Sequence, residues 1–191
     1  MAQPPVWKLT SGAEITFRIA HSIVCAELGR HEVPRALLRE AKHRGIGAIQ
    51  DDVLRSTTLL GYAILAIETA DVEAGAWVYP EILPMAGEVA FNGVTGQGPV
   101  SAYLGRLASI LGRHDDAEPL LLDALATAEA FGWEYNRATA LIALAQNQLS
   151  HIGTLDARGE QWLSTAEHLC ATYGFASWVK RTEAIRARLA S

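Results

Sequence analysis

Apolar residues return every three or four positions over most of this chain, and the pattern is cleanest between Pro99 and Gly132. Tyr103, Leu104, Leu107, Ile110 and Leu111 make one apolar face of helical period. Gly112 follows where a left-handed residue would end that helix. Asp115 then stands as the N-cap of a second helix, with Asp116 and Glu118 at the positive end of its dipole. Pro119 is tolerated near that start, because first-turn amides have no partner within the helix. Leu120, Leu121, Leu122, Ala124, Leu125 and Ala128 form the second apolar face, and Gly132 closes it. A connection this short predicts two antiparallel helices packed as a pair.

The pattern continues on both sides. Ser11 to Leu28 reads as a first helix, capped by Ser11 with Glu14 three residues on. Ile15, Ile19, Ile23 and Ala26 run down one side and Phe17, Ala20, Val24 and Leu28 down another, so neighbours are expected on both. Pro34 to Arg44 is a second helix, and 45–50 a linker. A third begins at Asp51 or Asp52 and reaches Thr69. Asp71 caps a fourth, running to Ala90 with a kink or break at Pro80 or Pro84. Phe91 to Gly98 is a glycine-rich connector between helices. After the central pair, Trp133 to Ser150, Ala157 to Tyr173 and Phe175 to Ala190 bring the total to about nine helices.

Small residues add register. Gly105 and Ala117 lie twelve apart across the central turn and are expected to face each other, letting the axes approach closely. Ala63 and Gly75 repeat that spacing, and Ala145 and Gly159 repeat it with two extra residues in the turn. Leu104, Gly105, Ala108, Gly112, Ala117, Leu121 and Ala124 stand at the spacing of the tetratricopeptide-repeat signature, which this chain resembles. The signature's aromatics are replaced by Ala108 and Leu121, and Glu129 stands at its closing proline. From Ala63 to Gly105 is 42 residues and from Gly105 to Ala145 is 40, against a period of about 34 in the plain repeat. The stretches EAGAWVYPEILPMAGEVA, AYLGRLASILGRHDDAEPLLLDALATAEAFG and NRATALIALAQNQLSHIG resemble the C-terminal helical-repeat region of bacterial multidomain regulators. Those proteins join a nucleotide cyclase or LuxR-type DNA-binding domain to a signalling ATPase. The resemblance implies an all-α fold, a right-handed α-α superhelix of about four TPR-like helical hairpins plus a C-terminal capping helix. It implies an extended segment at 1–10 and a single repeat domain over 11–191. No phosphate-loop motif is present, so the family's enzymatic and DNA-binding residues have no counterpart here.

Composition narrows the setting. Half of the residues are hydrophobic, which suits helices buried on two sides. A formal net charge of −5 without a basic tract argues against a nucleic-acid surface. Lys180, Arg181, Arg186 and Arg188 suit the negative end of a last helix. Cys25 and Cys170 are isolated, there is no N-x-Ser/Thr sequon, and residues 1–9 carry no hydrophobic signal core, so a reducing cytoplasm is expected. No apolar run reaches the ~20 residues a membrane span requires.

Candidate chemistry is sparse. His21 and Cys25 have the spacing of a metal-ligand pair but lack further ligands in sequence, so a half-buried imidazole and a core thiol are expected. His114, Asp115 and Asp116 are explained by a capped turn. The loop from Asn92 to Gly98 precedes a helix N-terminus without the lysine or strand of a phosphate loop. No catalytic, cofactor or metal residue is assigned, and the chain is not expected to be an enzyme. The first helix of each repeat lines the concave face in the family resembled. That register places Ile19, Ile23, Leu60, Ile64, Ile67, Arg106, Ile110, Ile142 and Gln146 along a partner-binding groove, with Arg106 its single base, expected to orient a carboxylate. The expected function is a non-catalytic interaction scaffold for a protein, a peptide or neighbouring domains of a bacterial signalling or transcriptional regulator. The alternative is a sensor holding a small molecule in that groove.

Overall fold

Each apolar face that the sequence marks becomes a helix in the computed structural model, which describes residues 12–49, 54–91 and 96–190. The helices are α1 (Gly12–Glu27), α2 (Glu32–Arg44), α3 (Arg55–Thr69), α4 (Val72–Ile82), α5 (Val100–Ile110), α6 (His114–Phe131), α7 (Glu134–Ile152), α8 (Ala157–Tyr173) and α9 (Ala176–Leu189). Two short strands, β1 (Val89–Phe91) and β2 (Gly96–Pro99), pair between α4 and α5 in sequence. The fold is therefore mainly helical. The chain divides into two compact units, one of residues 1–84 with 90–97 and one of residues 85–89 with 98–191. No helix among the described residues is long and apolar enough to cross a membrane.

In the first unit α1 packs on α2 and α3, and α4 packs on α2 and α3. Gly61 is where α1 comes closest, since a Cβ there would meet Cγ2 of Ile19 at 2.5 Å. Asp71 caps α4 as the sequence indicates, its Oδ1 accepting from the Ala74 amide at 2.9 Å. The described helix α4 ends at Ile82, eight residues short of Ala90. It passes through Pro80, and a single 3-10 turn over Leu83–Met85, with Leu83 still at φ −56° and ψ −40°, carries the chain through Pro84. The glycine-rich stretch is likewise no plain connector, because its residues 96–98 lie in β2. α1 also departs from expectation. Ile19, Ser22, Cys25 and Ala26 are buried against its neighbours, while Phe17, Val24 and Leu28 are 67%, 53% and 66% exposed. The side of α1 bearing these three has no cover among the described residues. The proposed caps at Ser11 and at Asp51 or Asp52 lie outside them, as does Asn92 to Thr95 of the connector.

In the second unit each helix packs on the next from α5 to α9, and α5 also packs on α7 and α7 on α9. No comparable packing joins α6 to α8. Gly105 of α5 lies against α6, where a Cβ would meet Cγ of Leu121 at 2.6 Å and the Ala117 carbonyl oxygen at 3.1 Å. The close approach expected of Gly105 and Ala117 is thus present, with Leu121 filling the space a side chain would take. Gly159 instead lies against the Gln148 side chain, one turn further along α7 than Ala145. α6 begins at His114, one residue before the expected cap, and Arg113 at its N-cap makes no side-chain capping bond. Pro119 consequently falls in the second turn, where it forgoes a backbone bond. Asp156 does cap α8, accepting from the Gly159 amide at 2.8 Å. That bond and one from Gln148 hold its carboxyl below the usual range. α9 is fastened to α8 by Arg186, which forks onto Glu167 at 2.8 and 3.0 Å and reaches Glu160 at 2.5 Å. Arg186 is therefore more than a favourable charge at a helix end.

Candidate partner-binding surface

The nine residues expected to line a groove do not share one environment. Ile19, Leu60 and Ile142 are core residues, 5%, 0% and 0% exposed. Ile19 is spent on the contact with Gly61, and Ile142 belongs to the core shared by α6 to α9. These three are corrected from lining to packing: an arc wide enough to reach a groove is here used to hold neighbouring helices. Ile23, Ile64 and Ile67 in the first unit, and Arg106, Ile110 and Gln146 in the second, are half-buried.

Arg106 alone of the nine leads to a cluster of aromatic and cationic side chains. It projects from α5 toward α9, its guanidinium carbon 5.7 Å from the centre of the Trp178 ring. Arg181, one turn on from Trp178, places its own guanidinium 4.5 Å from the same ring. Both distances are within reach of cation–π attraction, which is strongest on indole. The Trp178 Nε1–H donates to the Tyr135 hydroxyl at 3.1 Å, bringing in the start of α7. Tyr135 meets Phe175 edge-on at 5.3 Å between ring centres, and Phe175 stacks with Tyr173 at 5.7 Å. Thus α5, α7 and α9 each contribute to one cluster. Trp178 is buried within it and Tyr135 stays 51% exposed. Beside Arg106 on α5, burial pushes the Tyr103 phenol up to about 12 against an opposing pull from Arg106. Tyr103 is therefore a neutral group throughout the ordinary pH range.

Local sequence explains how the rings arrive there. α6 and α8 both end in an aromatic residue, a glycine at φ 67° or 71°, and a second aromatic: Phe131-Gly132-Trp133 and Tyr173-Gly174-Phe175. A left-handed residue at that place lets the chain reverse tightly, and glycine adopts it without a Cβ penalty. The ring pairs stack across each turn at 4.8 and 5.7 Å. The two triplets are 42 residues apart, the spacing already seen between Ala63 and Gly105. That repetition marks Phe175 in the sequence, whereas Tyr135 and Trp178 lie just beyond the two triplets and carry no such signal.

Other groups considered for chemistry have structural partners. His114 Nδ1 lies 2.9 Å from Asn147 Oδ1, Asn147 Nδ2 donates to the His114 carbonyl at 3.1 Å, and His114 stacks on His151 at 5.0 Å. His21 Nε2 is 3.6 Å from the Cys25 sulfur. No group of three or more metal-ligating side chains occurs among the described residues. Burial raises the Cys170 thiol above its ordinary value, leaving it protonated and poorly nucleophilic. In the first unit, α1 and α2 border an open cleft of about 410 Å³ walled by Arg18, His21, Ser22, Glu32 and Glu40. Arg18 and Glu40 form an ion pair across it, and that hydrogen bond lowers the Glu40 carboxyl. No family model, no curated protein and no solved structure matches this chain.

Proposed function

We propose that this chain is a non-catalytic helical-repeat module, TPR-like in its hairpins and superhelical in their stacking, that holds a protein or peptide partner on α5, α7 and α9. The observation that carries the reading is the convergence of Arg106, Tyr135 and Trp178 from α5, α7 and α9. In the second unit, packing of α5 on α7 and of α7 on α9, without its equal between α6 and α8, supports curvature there with α5, α7 and α9 on the inner side. A surface built that way offers a partner aromatic and guanidinium groups from three elements at once, the composition in which interface hot spots are enriched. A regulatory setting in a bacterial signalling or transcriptional protein, in the cytoplasm, follows from the resemblance of the repeat stretches.

A small-molecule sensor is the second reading, favoured by the cleft between α1 and α2, whose ~410 Å³ falls in the range of ligand pockets. Capture of partners from cytoplasm, run beside a thermal-shift screen of metabolites, separates the two. On the module reading, Tyr135→Ser with Arg106→Glu removes partner capture and leaves the melting temperature within a few degrees of the parent. On the sensor reading, a metabolite raises the melting temperature, Arg18→Gln removes that shift, and the Tyr135 and Arg106 changes do not.

A further inference from the structure

We infer that the cluster around Trp178 recognises a carboxylate on an acidic peptide segment that also carries an apolar side chain, a proposal that rests on the module reading and names its ligand class. The groups that meet there are donors. Arg106 and Arg181 come from different helices to one indole, at 5.7 and 4.5 Å from its centre. Each guanidinium brings to the indole a positive charge and a planar set of N–H donors. Both arginines make further interactions within the protein, so a ligand exchanges with these rather than filling a vacancy. Tyr135 accepts the Trp178 N–H at 3.1 Å, which directs its own O–H to another acceptor, and half of its surface is open. Two cations and a phenol therefore select a negatively charged acceptor. A carboxylate matches the planar fork of a guanidinium in two parallel bonds.

The rings decide between a free anion and a peptide. Tyr173 is 53% exposed and is joined to Tyr135 through Phe175. An anion such as phosphate gains nothing from that aromatic surface, whereas a leucine or phenylalanine beside an aspartate or glutamate covers it. Charge and apolar surface are thus offered together, and a peptide carrying both is the occupant that uses both.

The test is selection of random twelve-residue peptides, displayed on phage, against the whole chain, followed by fluorescence anisotropy on synthesised winners. The expected winners carry Asp or Glu next to an aromatic or aliphatic residue. Replacing those acids by Asn or Gln weakens binding by about tenfold or more, the loss of a charge-assisted pair. Arg106→Gln and Arg181→Gln each weaken it comparably, with far-UV circular dichroism and melting temperature as in the parent. Should either variant fold poorly, the acid-to-amide change still tests the claim, because it alters only the peptide. Winners without acids that still require Tyr135 overturn the carboxylate and leave the module reading standing. Winners indifferent to Tyr135, Arg106 and Arg181, or no winners at all, overturn both. Displacement of an acidic winner by low-millimolar inorganic phosphate overturns the peptide in favour of a free anion.

Discussion

The two units use the same kind of helix but differ in how far they cover it. In the second, every helix from α5 to α9 lies against the next, and Gly105 lets α5 and α6 meet with Leu121 in the gap. In the first, α1 hides Ile19 and Ala26 and leaves Phe17, Val24 and Leu28 more than half exposed. A helix with two apolar sides has thus found neighbours for one of them. The backbones differ at one turn. Glycine stands at positive φ after α1 and α2 as it does after α5, α6, α7 and α8, whereas the turn after α3 puts Ala70 there at φ 49°. For an alanine that conformation costs about 1–2 kcal/mol. The lesson is that periodicity announces what a helix could bury, and only its neighbours decide what it does bury.

If the second unit is the tighter one, its packing should break hardest. Leu121→Ala should cost about 2–5 kcal/mol, as large-to-small changes in full cores do. Gly105→Leu should cost about 1–3 kcal/mol by overpacking, against a helix-propensity gain of up to about 1 kcal/mol. Denaturant melts check both, and a Gly105→Leu protein as stable as the parent would remove the close approach from the account. Tyr103 sharpens the same side of the comparison. Its phenol is raised to about 12 in the folded protein, so the neutral form is the one folding favours. That contribution is complete below the ordinary tyrosine value near 10 and is lost as pH rises from there through about 12. Absorbance at 295 nm during an alkaline titration should show Tyr103 lagging beside Tyr62, whose phenol burial also raises, and Tyr103→Phe should remove its share of the lag.

The first unit should respond more mildly. Ala70→Gly relieves the left-handed strain and loosens the unfolded chain, for a net gain of about 0.5–1 kcal/mol. A loss of stability in the melt would mean that Ala70 contributes packing beyond its turn. Phe17→Ser and Leu28→Ser should change stability by no more than about 0.5 kcal/mol, as exposed positions do. A loss of several kcal/mol from either would show that the exposed stripe is covered in solution.

Legibility followed the range of the interactions. α8 has the bounds expected of it, Ala157 to Tyr173, because both of its ends are set locally, by the Asp156 cap and by Gly174 in the left-handed region. Gly105 and Ala117 were readable because a short turn fixes which residues can face each other. The end of α4 was less so: Pro84 signals a break, but the helical spacing of the apolar residues beyond it hides the change to extended chain at Val89. The strand pairing escaped because a glycine-rich stretch carries no alternation of apolar and polar residues. The cluster around Trp178 was half legible. Arg106 stood out as a lone base among apolar positions, while Trp178 is one apolar residue within the last expected helix and Arg181 one of its end charges. Their meeting depends on α5 reaching α9, two hairpins away, and no local pattern encodes that. The repeated aromatic-glycine-aromatic triplets gave notice of Phe175 alone.

Hydrogen–deuterium exchange on the full chain, with and without a saturating selected peptide, tests the central claim most directly. The account predicts slowed exchange in α5, at the start of α7 around Tyr135 and from Tyr173 into α9 around Trp178, with α6 and the rest of α8 unchanged. Protection concentrated on α6 and α8, or spread evenly over the chain, would contradict it.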